Sequence, residues 1–146
     1  MIRRESFEAV YTDLHIHTSE NPEEIRNKSN YDLDELIKNV DIYSKNCKKM
    51  ISFTDHNVIN KKVYLSQFPE NYYLILGVEL HVSYDKSKKP YHCHMFFSND
   101  INEENINSIN KILDKLYPKK EITSDSYSNV PNLETIIKKF NNYDFL

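Results

Sequence analysis

Short apolar stretches that favour β-strands alternate along this chain with stretches whose apolar residues recur at helical spacing. The predicted strands are VYTDLHIH (10–17), MISFT (50–54), YYLILGVELHVSY (72–84) and YHCHMFF (91–97). Strands alternating with helices favour an α/β fold with mostly parallel strands. The third and fourth strands are separated only by the turn KSKKP, which favours a local antiparallel hairpin or a kinked pair.

The predicted helices have apolar stripes and recognisable starts. The first covers residues 32–46, with Asp32 and Glu35 resembling a capping box, and a short helix is predicted within 60–68. A third begins near Glu103, and Asn132 opens a last helix over 133–140. The predicted stripe residues are Leu33, Leu36, Ile37, Val40 and Tyr43 in the first helix, and Ile106, Ile109, Leu113 and Leu116 in the third. Residues 21–30 and 118–131 are predicted as polar loops, and the tail 143–146 as the start of another strand.

Length and composition narrow the class of protein. The 146 residues are predicted to form a single domain, 1–146, and the formal net charge of −3 offers no broad basic surface for nucleic acid. No apolar run is long enough for a membrane helix, and the two cysteines, Cys47 and Cys93, have no metal-type spacing. A cytoplasmic protein with free thiols and no membrane contact is expected.

The stretch YTDLHIHTSEN (11–21) places two of the six histidines one residue apart, behind an aspartate. Because alternate side chains of a strand share a face, Asp13, His15 and His17 are predicted to point one way, with Leu14 and Ile16 on the other. A carboxylate and two imidazoles at the end of a strand suit a divalent metal.

The other histidines lie in predicted strands or directly after them. They are His56, His81, His92 and His94, and Asp55 and Glu79 accompany them. The carboxyl ends of parallel strands converge on the active site in α/β folds, so these side chains are expected to form a metal cluster.

Each residue of this set also has a simpler explanation. Asp55 is suited to cap a helix, and Glu79 to form a salt bridge. His81 is expected to be exposed or to support a ligand. One of His92 and His94 is expected to bind metal, with His94 preferred, whereas Cys93 faces the other way and is expected to be a buried apolar residue.

The ordered motifs DLHIHT, FTDHN, GVEL and HCHMFF, within residues 11–97, resemble the PHP family (polymerase and histidinol phosphatase domains). The resemblance implies a distorted (β/α)7 barrel that holds two or three divalent ions, zinc, manganese or iron. It implies that His15 and His17 bind the first ion, that Glu79 bridges two ions, and that His56 and one of His92 or His94 bind the others. Asp13 and Asp55 would orient imidazoles, and the catalytic set would be Glu79, His56 and His94.

Two departures from the family pattern bear on the extent of the domain. The usual ligand a few residues beyond the H-x-H motif is missing, so either Glu20 or Glu23 replaces it or that metal is lost, and no histidine follows His94. A complete barrel of this kind needs roughly 250 residues. The chain is therefore expected to form a partial barrel, the N-terminal part of a larger domain or protein, completed by a further segment or a partner chain. The alternative is a self-sufficient miniature with a simplified site.

The resemblance implies a metal-dependent phosphoesterase that hydrolyses a phosphomonoester or phosphodiester. The expected substrate is a phosphorylated small molecule or a nucleic-acid end, and Lys61, Lys62, Lys88 and Lys89 are candidates for phosphate contacts. Two alternatives stay open: a non-catalytic PHP-like module associated with a polymerase or an ATPase, and an amidohydrolase-like metal hydrolase.

Overall fold

The structure, a computed structural model, describes residues 9–19, 21–27, 32–44, 47–86 and 88–146. Its strands are β1 (Val10–Ile16), β2 (Lys48–Phe53), β3 (Tyr72–Leu74), β4 (Leu76–Val82) and β5 (Tyr91–Phe97). Its α-helices are α1 (Pro22–Asn27), α2 (Leu33–Ser44), α3 (Lys61–Tyr64), α4 (Glu103–Leu116) and α5 (Leu133–Lys139), and residues Ser124–Asn129 form a 3-10 helix. Among these helices, none is long and apolar enough to cross a membrane.

The strands form a parallel sheet and an antiparallel hairpin. β1, β2 and β3 lie side by side in that order, all parallel, while β4 and β5 pair antiparallel from Leu76 opposite Phe97 to Val82 opposite Tyr91. The predicted mixed α/β class and the predicted hairpin are thus confirmed. Within the described ranges the strands do not close into a barrel.

The prediction of one continuous strand over 72–84 was wrong, because the chain changes partner at Ile75. β3 pairs with β2, and β4 pairs with β5. The two sheets remain joined, since Ile75 N–H donates to the Ile51 carbonyl at 2.9 Å and Glu79 N–H donates to the Asp55 carbonyl at 3.1 Å. β4 therefore continues beside the end of β2, with a parallel bridge between His56 and Glu79.

The one glycine of the chain, Gly77 in β4, packs closely against Ser52 of β2 and Phe96 of β5. A Cβ atom at Gly77 would lie 2.3 Å from Ser52 Oγ and 2.9 Å from the Phe96 ring. Separations that short are not tolerated by real side chains, so the crossing of β4 over β2 requires a residue without Cβ.

Other local predictions were partly right. The segment 21–30 is not all loop, since α1 begins at Pro22, a residue suited to the first position of a helix. The segment 118–131 contains the 3-10 helix. Tyr43 does not join the α2 stripe, because its ring is 78% exposed. Residues 28–30, 45–46 and 87, assigned above to a loop, a helix end and a turn, lie outside the described residues.

The helices predicted after residue 100 are confirmed. All four stripe residues of α4 are buried, and the Asn102 and Asn132 side chains cap α4 and α5 by accepting backbone N–H bonds at 2.9 Å. Phe145 in the tail forms an antiparallel bridge with Phe97, so the predicted extra strand is present as a short pairing. The core joins both sheets to α4 and α5 through buried side chains such as Ile109 and Phe140.

The hydroxyl of Tyr64 joins β2 to the β3–β4 segment. It accepts the N–H groups of Phe53 and Gly77, both at 3.0 Å, and lies 2.8 Å from the Ile75 carbonyl, to which it can donate. Tyr64 is 3% exposed, and its burial raises the pKa of the phenol to about 12. The hydroxyl thus stays protonated and serves three buried backbone groups at once.

Replacing Tyr64 with Phe should lower the free energy of unfolding by about 2–4 kcal/mol, because two buried N–H groups lose their acceptor at roughly 1–3 kcal/mol each. Urea denaturation followed by circular dichroism measures the change. The matched control is Tyr73→Phe, at a ring that is 53% exposed, which should leave the midpoint nearly unchanged. Equal midpoints for wild type and Tyr64→Phe would show that the hydroxyl does not hold the two segments together.

Candidate metal centre

The end of β1 is irregular at the H-x-H motif. Asp13 lies opposite Ile51 and Ile16 opposite Phe53, so two residues of β1 face the single Ser52 of β2. This is the pattern of a β-bulge, which re-aims side chains and often lies beside functional sites. The bulge brings His15 and His17 together, with their Nε2 atoms 3.1 Å apart.

Asp13 contacts the backbone and Tyr11, although alternation along the strand predicted that it would share a face with His15 and His17. Its carboxylate accepts the backbone N–H of His15 at 3.2 Å and interacts with the Tyr11 hydroxyl. Its contacts with other described residues include no imidazole nitrogen, so the structure does not show Asp13 orienting a histidine ring. Asp13 instead stabilises the bulged backbone at His15 through this hydrogen bond.

Glu79 is the centre of the cluster. Its side chain is 3% exposed, and its Oε2 atom lies 2.7 Å from His17 Nε2 and 3.3 Å from both His15 Nε2 and His56 Nδ1. Its Oε1 atom lies 2.7 Å from His92 Nδ1 and 3.8 Å from His94 Nε2. Five imidazoles thus divide between the two oxygens of one buried carboxylate.

The hairpin supplies the second side of the cluster. In the β4–β5 register Glu79 lies opposite His94 and His81 opposite His92, so all four side chains rise from adjoining positions. The His92 ring lies 4.9 Å from that of His56 and 4.4 Å from that of His81, between centroids. The sequence favoured His94 over His92, whereas the structure brings both to Oε1 and places His92 nearer.

Asp55 positions the loop after the H-x-H motif and does not contact an imidazole directly. Its carboxylate is fully buried and accepts Thr18 N–H at 2.6 Å, the Thr18 hydroxyl at 2.7 Å and Ser19 N–H at 3.3 Å. Burial raises the pKa of Asp55, and these hydrogen bonds oppose the rise. Asp55 therefore supports His17 through the backbone that follows it, as a capping carboxylate would.

The electrostatics favour neutral imidazoles around an ionised carboxylate. Burial lowers the pKa of His56 and His94 and brings the pKa of His81 to about 4. Burial alone would raise the pKa of Glu79, but the neighbouring imidazoles outweigh it and hold the pKa below its ordinary value. The lowered pKa values of His56, His81 and His94 therefore favour neutral rings with free lone pairs beside an ionised Glu79 carboxylate.

The donor set fits divalent metal. Neighbouring ligands of a tetrahedral zinc ion at about 2.0–2.2 Å lie about 3.3 Å from one another, close to the separations around Glu79 Oε2. In two trios of side chains the candidate ligand atoms all lie within 4.8 Å of one another, His15, His17 and Glu79 in one and His56, His81 and His92 in the other. The buried His56 Nδ1 and His94 Nε2 atoms also have no hydrogen-bond partner among the described residues, as expected of ligand atoms.

The structure does not bring every candidate to the cluster. Glu23, one proposed replacement for the missing ligand, instead accepts the Lys120 backbone N–H, and Glu20 lies outside the described residues. Lys61 forms an ion pair with Glu103 at 2.9 Å. His81, which was expected to be exposed or to support a ligand, is half-buried, and its ring lies 5.0 Å from that of His56 and 4.4 Å from that of His92, between centroids.

Comparisons of the chain with models of protein families, with curated proteins and with solved structures gave no match. The assignment of this cluster therefore rests on the geometry and on the order of its motifs.

Proposed function

We propose that this protein is a metal-dependent phosphoesterase in which the carboxylate of Glu79 lies between two divalent ions. The observation that carries the proposal is the distribution of imidazoles around that carboxylate, with His15, His17 and His56 near one oxygen and His92 and His94 near the other. A carboxylate that offers one oxygen to each side is suited to bridge cations, and neutral imidazoles are suited to complete their coordination.

In this proposal His15 and His17 hold the first ion, while His92 and His94 hold the second and His56 contributes from the end of β2. When bound, such a pair of ions supplies an activated water at neutral pH and positive charge for phosphoryl oxygens. The protein contributes preorganisation: the bulge in β1, the Asp55 contacts and the β4–β5 register fix the side chains before substrate arrives.

A substrate can reach the cluster from one side. The His15 side chain is 53% exposed and that of His92 is 41% exposed, whereas Glu79 beneath them is almost completely buried. Exposed imidazoles beside a buried carboxylate suit a ligand that presents oxygen atoms to the ions. The order of the four motifs, which resembles that of PHP proteins, favours a phosphoester over an amide as this ligand.

The finer description of the fold belongs to the same proposal. The site lies at the carboxyl ends of β1 and β2, where a parallel barrel would carry its active site. We infer that the parallel sheet with its attached hairpin corresponds to part of a distorted PHP-type barrel.

The protein loaded in turn with zinc, manganese or ferrous iron should hydrolyse p-nitrophenyl phosphate, bis(p-nitrophenyl) phosphate or both. Chelation followed by dialysis should abolish turnover, and the same metal should restore it, because the site depends on the ions for its nucleophile. Bound metal without turnover of either ester would contradict an esterase and favour a non-catalytic module. Cleavage of p-nitroacetanilide alone would favour the amidohydrolase alternative.

A further inference from the structure

His81 is hydrogen-bonded through both its ring and its backbone, and its main partner is Asn57. Asn57 is fully buried and adopts φ 59°, a left-handed conformation that Asn tolerates better than most residues. Its backbone N–H donates to the Glu79 carbonyl at 2.8 Å, and its side-chain Oδ1 accepts His81 N–H at 3.0 Å. The Tyr117 hydroxyl donates to the His81 carbonyl at 2.6 Å.

The orientation of the Asn57 amide follows from its neighbours. Nδ2 lies 2.9 Å from the Lys120 carbonyl, which can only accept, and Oδ1 faces the His81 N–H, which can only donate. A flipped amide would set oxygen against oxygen and N–H against N–H, so the flip loses both bonds. Nδ2 is therefore the atom that faces His81 Nδ1, at 2.9 Å.

This orientation fixes the tautomer of His81. The amide Nδ2 carries only hydrogens, so His81 Nδ1 must supply the lone pair and accept the bond. In a neutral imidazole the proton then lies on Nε2. A nitrogen that carries a proton cannot bind a metal ion, although His81 belongs to the trio with His56 and His92 whose candidate ligand atoms lie within 4.8 Å of one another.

We infer that His81 contributes a neutral Nε2–H donor to an oxygen of the bound phosphoryl group, with Asn57 as its positioning residue, and that it does not bind metal. This inference rests on the proposed function for the identity of the oxygen. Its structural basis is independent of that function: His81 lies two residues after Glu79 on β4 and opposite His92 on β5, and its Nδ1 atom is held by the Asn57 amide. A preorganised donor beside the metal pair stabilises charge on the substrate without displacing a ligand.

The tautomer can be measured directly in protein labelled with ¹⁵N-histidine. Long-range ¹H–¹⁵N spectra of the metal-free and the zinc-loaded chain should both show His81 with the proton on Nε2 and the lone pair on Nδ1. The resonance is assigned by its loss in His81→Gln. A proton on Nδ1, or zinc bound to Nε2, would overturn the inference.

Two variants separate a donor from a ligand. His81→Ala removes the N–H, while His81→Gln keeps an amide N–H on a side chain of similar reach, and both keep the backbone bonds to Asn57 and Tyr117. We expect both to retain the zinc content of wild type. Inorganic phosphate should bind zinc-loaded His81→Ala about 10- to 100-fold more weakly, the range for losing a hydrogen bond to a charged group, and His81→Gln should recover most of that loss.

Each failure has a distinct meaning. Loss of about one zinc equivalent in His81→Ala would make His81 a ligand, and unchanged phosphate affinity would remove its role as a donor; either overturns the inference while leaving the esterase proposal standing. A wild-type chain that binds neither zinc nor phosphate would overturn both.

Discussion

Glu79→Gln should lose phosphoesterase activity by about three orders of magnitude or more, because metal charge stabilisation is worth several kcal/mol and each 1.36 kcal/mol is a factor of ten in rate. Gln has nearly the same shape but carries no charge. Its amide nitrogen would place N–H groups against the imidazoles that one oxygen of Glu79 contacts. The Glu79 side chain contacts five histidines and is almost fully buried. It supplies the one carboxylate of the two trios in the described cluster, so no other carboxylate there can replace it.

Steady-state hydrolysis of p-nitrophenyl esters at saturating metal measures this loss. The matched control is Glu134→Gln on α5, where the carboxylate is 73% exposed and pairs with Lys138; this variant should keep wild-type turnover. Urea denaturation of both variants shows whether the fold is kept. A folded Glu79→Gln protein with most of its activity would rule out a carboxylate shared between ions.

The second large effect concerns metal content. Purified His15→Ala/His17→Ala protein should hold about one zinc equivalent less than wild type, because the two Nε2 atoms and Glu79 Oε2 form one compact donor trio and a lone carboxylate oxygen binds zinc poorly. The stability cost should be small, since His15 is more than half exposed and His17 about a quarter exposed. Elemental analysis after dialysis against trace metal-free buffer provides the measurement.

The control for this experiment addresses the thiols, which are also zinc ligands. Cys47→Ser/Cys93→Ser should retain the wild-type metal content, because both cysteines are free and neither belongs to the trios of the cluster. Equal metal content in the double-histidine variant and wild type would show that the H-x-H motif does not hold an ion.

Much of this architecture follows from residue pattern alone. Local periodicity and capping, which a sequence displays directly, predict the apolar stripe of α4 and the Asn132 cap of α5. Local pattern also predicts the strands that carry the HIH and HCH motifs. The convergence of His15 and His56 follows from a general property of parallel strands, whose carboxyl ends meet at one edge. Glu79 and His92 join them from the antiparallel β4–β5 hairpin, whose residues the sequence marked by their acidic and histidine motifs. Sequence could therefore indicate the members of the cluster before any distance was known.

What the sequence could not reveal depends on contacts between distant residues. The bulge at His15 arises from the register between β1 and β2, which residue pattern alone does not display. The break at Ile75 depends on which strand β4 pairs with, a tertiary choice. The role of His81 is set by Asn57, 24 residues earlier, and by the Lys120 carbonyl, 63 residues after Asn57.

One missed element did have a local signal. Pro22 followed by Glu23 and Glu24 is a common start of a helix, because proline fits the first position and acidic residues favour the positive end of the helix dipole. The prediction of a loop gave more weight to the polarity of residues 21–30 than to their order. A carboxylate-rich segment beside a metal site also invites assignment as ligand, whereas Glu23 in fact binds the Lys120 backbone.

The central claim is that one buried carboxylate lies between two metal ions. Crystals grown with zinc and measured on both sides of the zinc absorption edge test it directly through an anomalous difference map. We expect two peaks that flank Glu79, one beside His15 and His17 and the other beside His92 and His94, at about 2.0–2.2 Å from their ligand atoms. A single peak, or peaks found only away from Glu79, would contradict the claim.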